Sequence, residues 1–227
     1  MHGSGGDRRD WTAQERRFER AVYLDLPGHP TGSALRSAAE VADALAPLVA
    51  AVDGPRAIVG HSLGGAVALE LARRHPDLVD GLVLLASGAR LPVPDRVMAG
   101  LRDDFAAECE RVIAASYLAG PSRDAARHRE AMHAAGPAAL EADYAACAGF
   151  DARGALGEVR APALVIAAAE DVLTPPWLSE ELTRELPLAQ MALVPGVGHA
   201  VMAEGAGAVN LLLAAYLARL ELTLDGI

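Results

Sequence analysis

The chain has 227 residues, of which 52% are hydrophobic. That suits one domain, or one domain with a modest insertion, and is too apolar for a disordered chain. Thirty acidic residues against twenty basic ones give a formal charge of −10, which argues against nucleic acid or an anionic membrane surface as a partner. Cys109 and Cys147 make neither a disulfide framework nor a metal-ligand spacing, so they read as buried thiols in a reducing cytoplasm. The polar, glycine-rich start holds no signal-peptide core, and the apolar stretch 211–218 is too short to span a bilayer.

In chain order, residues 1–7 have a loop composition and 11–20 have helical character. Residues 21–26 (Ala-Val-Tyr-Leu-Asp-Leu) predict a short strand stopped by Pro27-Gly28-His29-Pro30. Ser33 is a cap for a helix running to about Val52, with Leu35, Ala38, Val41, Leu45 and Leu48 at helical spacing. A buried strand follows at 57–60, then a helix from 66, with Gly60-His61-Ser62-Leu63-Gly64 between them. The next strand is predicted at 79–86. From 91 to 150 the pattern turns helical, broken at Gly120-Pro121 and Gly136-Pro137. Strand character resumes at 161–168 and 191–194, separated by a helix to about Glu185, and a last helix covers 207–220. Near-continuous apolar strands alternating with helices predict an α/β fold with a mostly parallel, doubly wound sheet. Its core would be residues 1–90 and 151–227, with 91–150 as a helical insertion.

Gly-x-Ser-x-Gly between a strand and a helix places a serine at the apex of a turn too tight for side chains at its close contacts. The helix behind it aims free N–H groups at developing negative charge. A serine hydroxyl needs a base to take its proton, and that base needs an anionic group to hold it in one tautomer. Asp171 and His199, like Ser62, lie just past the carboxyl ends of predicted strands, where open α/β sheets carry their reactive groups. Glu170 is the alternative acid. His128 and His133, five residues apart, do not stack on one helical face as zinc ligands would.

The order Ser62, Asp171, His199 and five segments resemble the α/β-hydrolase superfamily, in its esterase- and lactonase-like branch of serine hydrolases. The segments are His2-Gly3-Ser4-Gly5-Gly6, Asp25-Leu26-Pro27-Gly28-His29, Gly60 to Gly65, Glu170 to Pro175, and Gly198-His199 through Glu204. The resemblance implies that Ser62 is the nucleophile, His199 the base and then the acid, and Asp171 the group orienting His199. It implies an oxyanion hole made by the backbone N–H groups of Leu63 and Ser4, and a lid made by 91–150. The implied substrate is a small or medium carboxylic ester or lactone, cleaved through an acyl-serine without cofactor or metal. Thioester hydrolysis, carbon–carbon bond hydrolysis and perhydrolysis share the constellation, and the oligomeric state stays open. The chain departs from the pattern at Pro30 and in having no strand ahead of His2. The second departure predicts an N-terminally truncated chain with a gap in the sheet between 21–26 and 57–60, and with it an impaired oxyanion hole or a non-catalytic chain.

Overall fold

The computed structural model describes residues 1–224. Strands β1 (Ala57–His61), β2 (Gly81–Leu85), β3 (Ala163–Ala168) and β4 (Ala189–Val194) form a parallel sheet in the order β1-β2-β3-β4. Parallel neighbours need crossovers, and helices supply them. In chain order the helices are α1 (Thr12–Glu15), α2 (Ala38–Ala50), α3 (Leu63–Arg74), α4 (Asp95–Asp103), α5 (Phe105–Ser116), α6 (Arg123–Gly149), α7 (Pro176–Glu185), α8 (Val201–Glu204) and α9 (Ala206–Leu224).

The period-two alternation of the strands divides the core in two. Leu82, Leu84, Ala163 and Val165 face α2, α3 and α7, packing with Val41, Leu45, Leu69 and Leu182. Val83, Leu85, Leu164 and Ile166 point the other way, onto Trp11 and the Val209, Leu213, Tyr216 and Leu220 stripe of α9. Both faces of β2 are therefore covered, and its Leu and Val side chains are fully buried, each contributing about 1.5–3 kcal/mol of transfer free energy. Tyr216 pins α9 to the sheet by donating to the Pro162 carbonyl at 2.7 Å and accepting from Leu82 N–H at 2.9 Å.

Helices α4, α5 and α6 lie between β2 and β3 in sequence and build their own apolar cluster around Val97, Leu101, Cys109, Val112, Met132 and Leu140. The excursion leaves and returns at one place, because Arg90 and Asp151 form an antiparallel bridge and Ala152 N–H donates to the Ala89 carbonyl at 2.8 Å. Gly136, at φ 78° and followed by Pro137, breaks α6 where the sequence predicts.

Two predicted elements differ. Residues 21–26 form no strand. Among the described residues the backbone of β1 is bonded on its outer side by Met1, whose nitrogen donates to the Val59 carbonyl at 2.8 Å and whose carbonyl accepts from His61 N–H at 3.1 Å. With no strand alongside, the 21–26 stretch has nothing to pair with. It is irregular, with Leu26 buried and Val22 63% exposed. The helix expected from Ser33 begins at Ala38 instead. Ser37 caps it by accepting from Glu40 N–H at 3.2 Å, and Glu40 reaches back to Arg36 N–H, a Ser-x-x-Glu pattern that outcompetes Ser33.

Candidate active site

Ser62 sits between β1 and α3 at φ 52°, ψ −116°, a conformation that costs a non-glycine residue on the order of 1–3 kcal/mol and persists only when its surroundings impose it. They do so through three kinds of bond. Ser62 N–H donates to the Leu85 carbonyl at 2.9 Å, and the Ser62 carbonyl accepts from Ser87 Oγ at 2.9 Å and from Gly65 N–H at 2.9 Å. The flanking glycines are needed for close approach. A Cβ on Gly60 would stand 2.1 Å from the Gly64 carbonyl oxygen, and one on Gly64 would stand 2.5 Å from that of His2. Leu63, the first residue of α3, has an N–H with no acceptor within the helix.

Asp171 and His199 meet at the carboxyl edge of the sheet. His199 Nδ1 lies 2.8 Å from Asp171 Oδ2, which leaves Nε2 as the acceptor nitrogen of the ring. The carboxylate is 4% exposed and fully engaged. Its Oδ1 accepts from the N–H groups of Leu173 (2.8 Å) and Thr174 (2.9 Å), and its Oδ2 from Thr174 Oγ1 (2.7 Å). Burial works to raise the Asp171 pKa, but the His199 charge, with hydrogen bonds from His199 and Thr174, outweighs it and holds the carboxyl below its ordinary value. Glu170, the alternative acid, is exposed, and Asp171 is the carboxylate bonded to His199.

His61 braces the His199 backbone. Its Nε2 lies 2.9 Å from the His199 carbonyl, and burial, reinforced by His199, pushes its pKa well below the usual histidine value, so it stays neutral. Glu204 closes the histidine loop by accepting from Gly198 N–H at 2.8 Å and Ala119 N–H at 2.7 Å.

The glycine-rich loop 2–6 passes directly over the elbow. His2 Nε2 accepts from Leu26 N–H at 2.9 Å, and a Cβ on Gly3 would lie 3.1 Å from that of Ser62. Gly3, Ser4, Ser62 and His199 share a cavity of about 480 Å³. Its walls are mainly apolar, with Leu91, Val97, Val112 and Tyr144 among them, and Arg96, Glu108 and Arg111 add charge. Ser62 and His199 face this common space without a direct hydrogen bond between them.

The sequence pattern of one family of enzymes matches residues 1–210, and its description is alpha/beta hydrolase family. The chain belongs to that family. It is 32% identical over 192 residues to a pimeloyl-[acyl-carrier protein] methyl ester esterase of Neisseria meningitidis serogroup B, covering 78% of this chain and 74% of that protein. It is 34% identical over 228 residues to the protein of the same name from Aromatoleum aromaticum, covering 88% and 89%. Among solved structures it is similar to a thermophilic esterase, with 29% identity, a TM-score of 0.86, and coverage of 96% of this chain and 88% of that one. The enol-lactonase from Burkholderia xenovorans LB400 shares the fold at 19% identity and TM-score 0.87, with 96% and 89% covered.

Within this alpha/beta hydrolase, Asp171 and His199 are brought into contact, and both Ser62 and Ser4 line the cavity that His199 lines. Thr174 also belongs to this cluster, and Asp-x-x-Thr is a turn pattern in which the threonine returns to the carboxylate. His128, which the sequence excludes only as a zinc ligand stacked with His133, is buried. The ring is 8% exposed, lines the cavity, and has Tyr117 Oη 3.4 Å from its Nδ1. Among the described residues no group of three His, Cys, Asp or Glu is arranged to hold a metal ion.

Proposed function

We propose that the chain is a serine hydrolase that cleaves a small to medium carboxylic ester or lactone through an acyl-Ser62 intermediate. Ser62 is the nucleophile, His199 the general base and then acid, and Asp171 the group that fixes the His199 ring. Leu63 and Ser4 supply the oxyanion-binding N–H groups, and α4 to α6, within residues 91–150, form a lid over the acyl site. One observation carries this reading: a buried Asp171–His199 hydrogen bond faces the same apolar cavity as a serine held at positive φ.

In the first half-reaction Ser62 Oγ attacks the ester carbonyl carbon while its proton passes to His199 Nε2. The carbonyl electron pair moves to oxygen, and the two N–H donors stabilise that charge. Preorganised donors of this kind are typically worth about 10²–10³ in turnover each. Collapse expels the alkoxide, which takes the proton from His199. Water then attacks the acyl carbon by the same route in reverse roles, releasing the acid and restoring the serine. The Ser62 proton thus leaves on the alcohol by way of His199, and a proton from water replaces it.

The names of the two bacterial relatives support a carboxylic ester with a small alcohol as substrate. The apolar lining supports an aliphatic acyl group. Two free, buried thiols support a reducing compartment, the cytoplasm, as the place of work. Replacing Ser62 with Ala is expected to abolish hydrolysis of p-nitrophenyl esters and labelling by a fluorophosphonate. Retained hydrolysis in that variant would sink the assignment.

A further inference from the structure

The loop that carries Ser4 is held by two different bodies. Up to His2 it is tied to the sheet through Met1 on β1 and to the 21–26 segment through Leu26 N–H on His2. From Ser4 onward it belongs to α6. Gly5, at φ 69°, is pressed so close to that helix that a Cβ would lie 2.9 Å from Met132 Cγ. Its N–H donates to Asp143 Oδ2 at 2.7 Å. Ser4 itself has only long contacts with α6, Oγ to Cys147 Sγ and its carbonyl oxygen to His128 Nε2, both 3.4 Å.

These tethers are unequal. Hydrogen bonds to a charged acceptor are about twice as strong as neutral ones, and contacts at 3.4 Å fall at the weak end. Asp143 is therefore the strongest hold on the loop beyond His2. It is 3% exposed, and its second partner is His29, whose Nε2 lies 3.0 Å away with a fully buried ring. A buried carboxylate is a poor way to pack a helix, since an apolar residue of the same shape generally packs as well or better. Its value lies in direction: it fixes where the Gly5 N–H points and, one peptide earlier, where that of Ser4 points.

We propose that Asp143 is a positioning residue for the oxyanion hole: with His29 it anchors the Ser4–Gly5 peptide to α6, so that the helical insertion holds one of the two donors in place. The proposal rests on the serine-hydrolase reading. It makes α6 part of the catalytic framework as well as a wall of the acyl site, so a displacement of α6 displaces a donor.

The test pairs turnover with a ligand that senses the oxyanion alone. Trifluoromethyl ketones add Ser62 Oγ to their carbonyl carbon, and the resulting oxyanion occupies the donor site. For Asp143→Ala on p-nitrophenyl butyrate, kcat is expected to fall about 10- to 100-fold, part of what losing one donor costs, with KM within about twofold. The inhibition constant for the ketone should weaken by the same factor. Asp143→Asn keeps an acceptor oxygen for Gly5 N–H and is expected to return kcat to within about threefold of the parent. Asp143→Leu, isosteric and apolar, replaces the alanine variant if thermal unfolding shows that one to be misfolded. An unchanged kcat in the alanine or leucine variant overturns the proposal. So does a kcat loss without the matching loss of ketone affinity, or an Asp143→Asn variant as impaired as Asp143→Ala. Ser62→Ala, measured alongside, separates the two levels. If it keeps turnover the serine mechanism fails; if it is inactive while Asp143→Ala behaves as the parent, only the positioning role fails.

Discussion

The proposed site is supported in two unlike ways. On one side Ser62, Asp171 and His199 stand at the carboxyl ends of β1, β3 and β4. Ser62 and Asp171 are held by groups within a few residues in sequence or at the end of the adjacent strand, Leu85 and Ser87 for Ser62 and Thr174 for Asp171, and His199 joins them through Asp171 and through His61 at the end of β1. On the other side loop 2–6 is held by residues far away along the chain, Leu26 through His2 and Asp143 across a separation of 138 residues. A parallel sheet makes the first side rigid by its own ladder. The second depends on a few polar contacts between separate elements, which break one at a time. The two sides should therefore respond differently to substitution.

The largest effect is expected on the sheet side. Asp171→Asn keeps the shape of the site but removes the anion that selects the His199 tautomer, and kcat should drop by on the order of 10³–10⁴. The far-downfield proton resonance of a His Nδ1–H bonded to a carboxylate should vanish with it. Gly64→Ala strikes the other side. Its Cβ would stand 2.5 Å and 2.6 Å from the carbonyl oxygens of His2 and Met1, backbone atoms that cannot give way without shifting the loop. Overpacking of that kind costs about 1–3 kcal/mol, and kcat should fall with the melting temperature while the downfield resonance survives. If Gly64→Ala removed the resonance too, the two supports would not be separable.

That division also explains what could be read in the sequence. Ser62, Asp171 and His199 follow apolar strands at fixed offsets, and Gly60 and Gly64 mark the tight approach, so local pattern carries most of that half. The stretch 21–26 has the composition of a strand, yet its structure depends on a neighbour that periodicity along the chain cannot supply. Asp143 stands in a helical run beside Glu141 and reads as another solvated acid. Its burial arises from tertiary packing of α6 against loop 2–6, and no spacing in the sequence announces it. Ser37 was legible in principle. Ser-x-x-Glu before an apolar stripe is a stronger cap signal than Ser33 alone.

The smallest expected effect is a pH dependence on the loop side. Burial works to lower the pKa of His29, but the hydrogen bond and charge of Asp143, helped by Asp25 and Asp7, outweigh it, so the folded value lies above the ordinary one. The folded state thus holds this proton more tightly than the unfolded chain. The stabilisation is complete below the unfolded value of about 6.5 and is lost as pH rises through the folded value. His2, edge-on to His29 at 5.1 Å, runs the opposite way: burial, with His29 adding, pushes its pKa well down, so it costs stability as pH falls below about 6.5. The two partly cancel in the parent, and the His29 share appears only by difference. His29→Gln should be less stable than the parent by about 1.5–3 kcal/mol at pH 5.5, the worth of a hydrogen bond to a charged group. That gap should narrow steadily towards alkaline pH as the parent loses its imidazolium. Thermal unfolding of both chains from pH 5.5 to 9 measures it, and a gap that stays constant or widens would mean that His29 is neutral against Asp143 throughout.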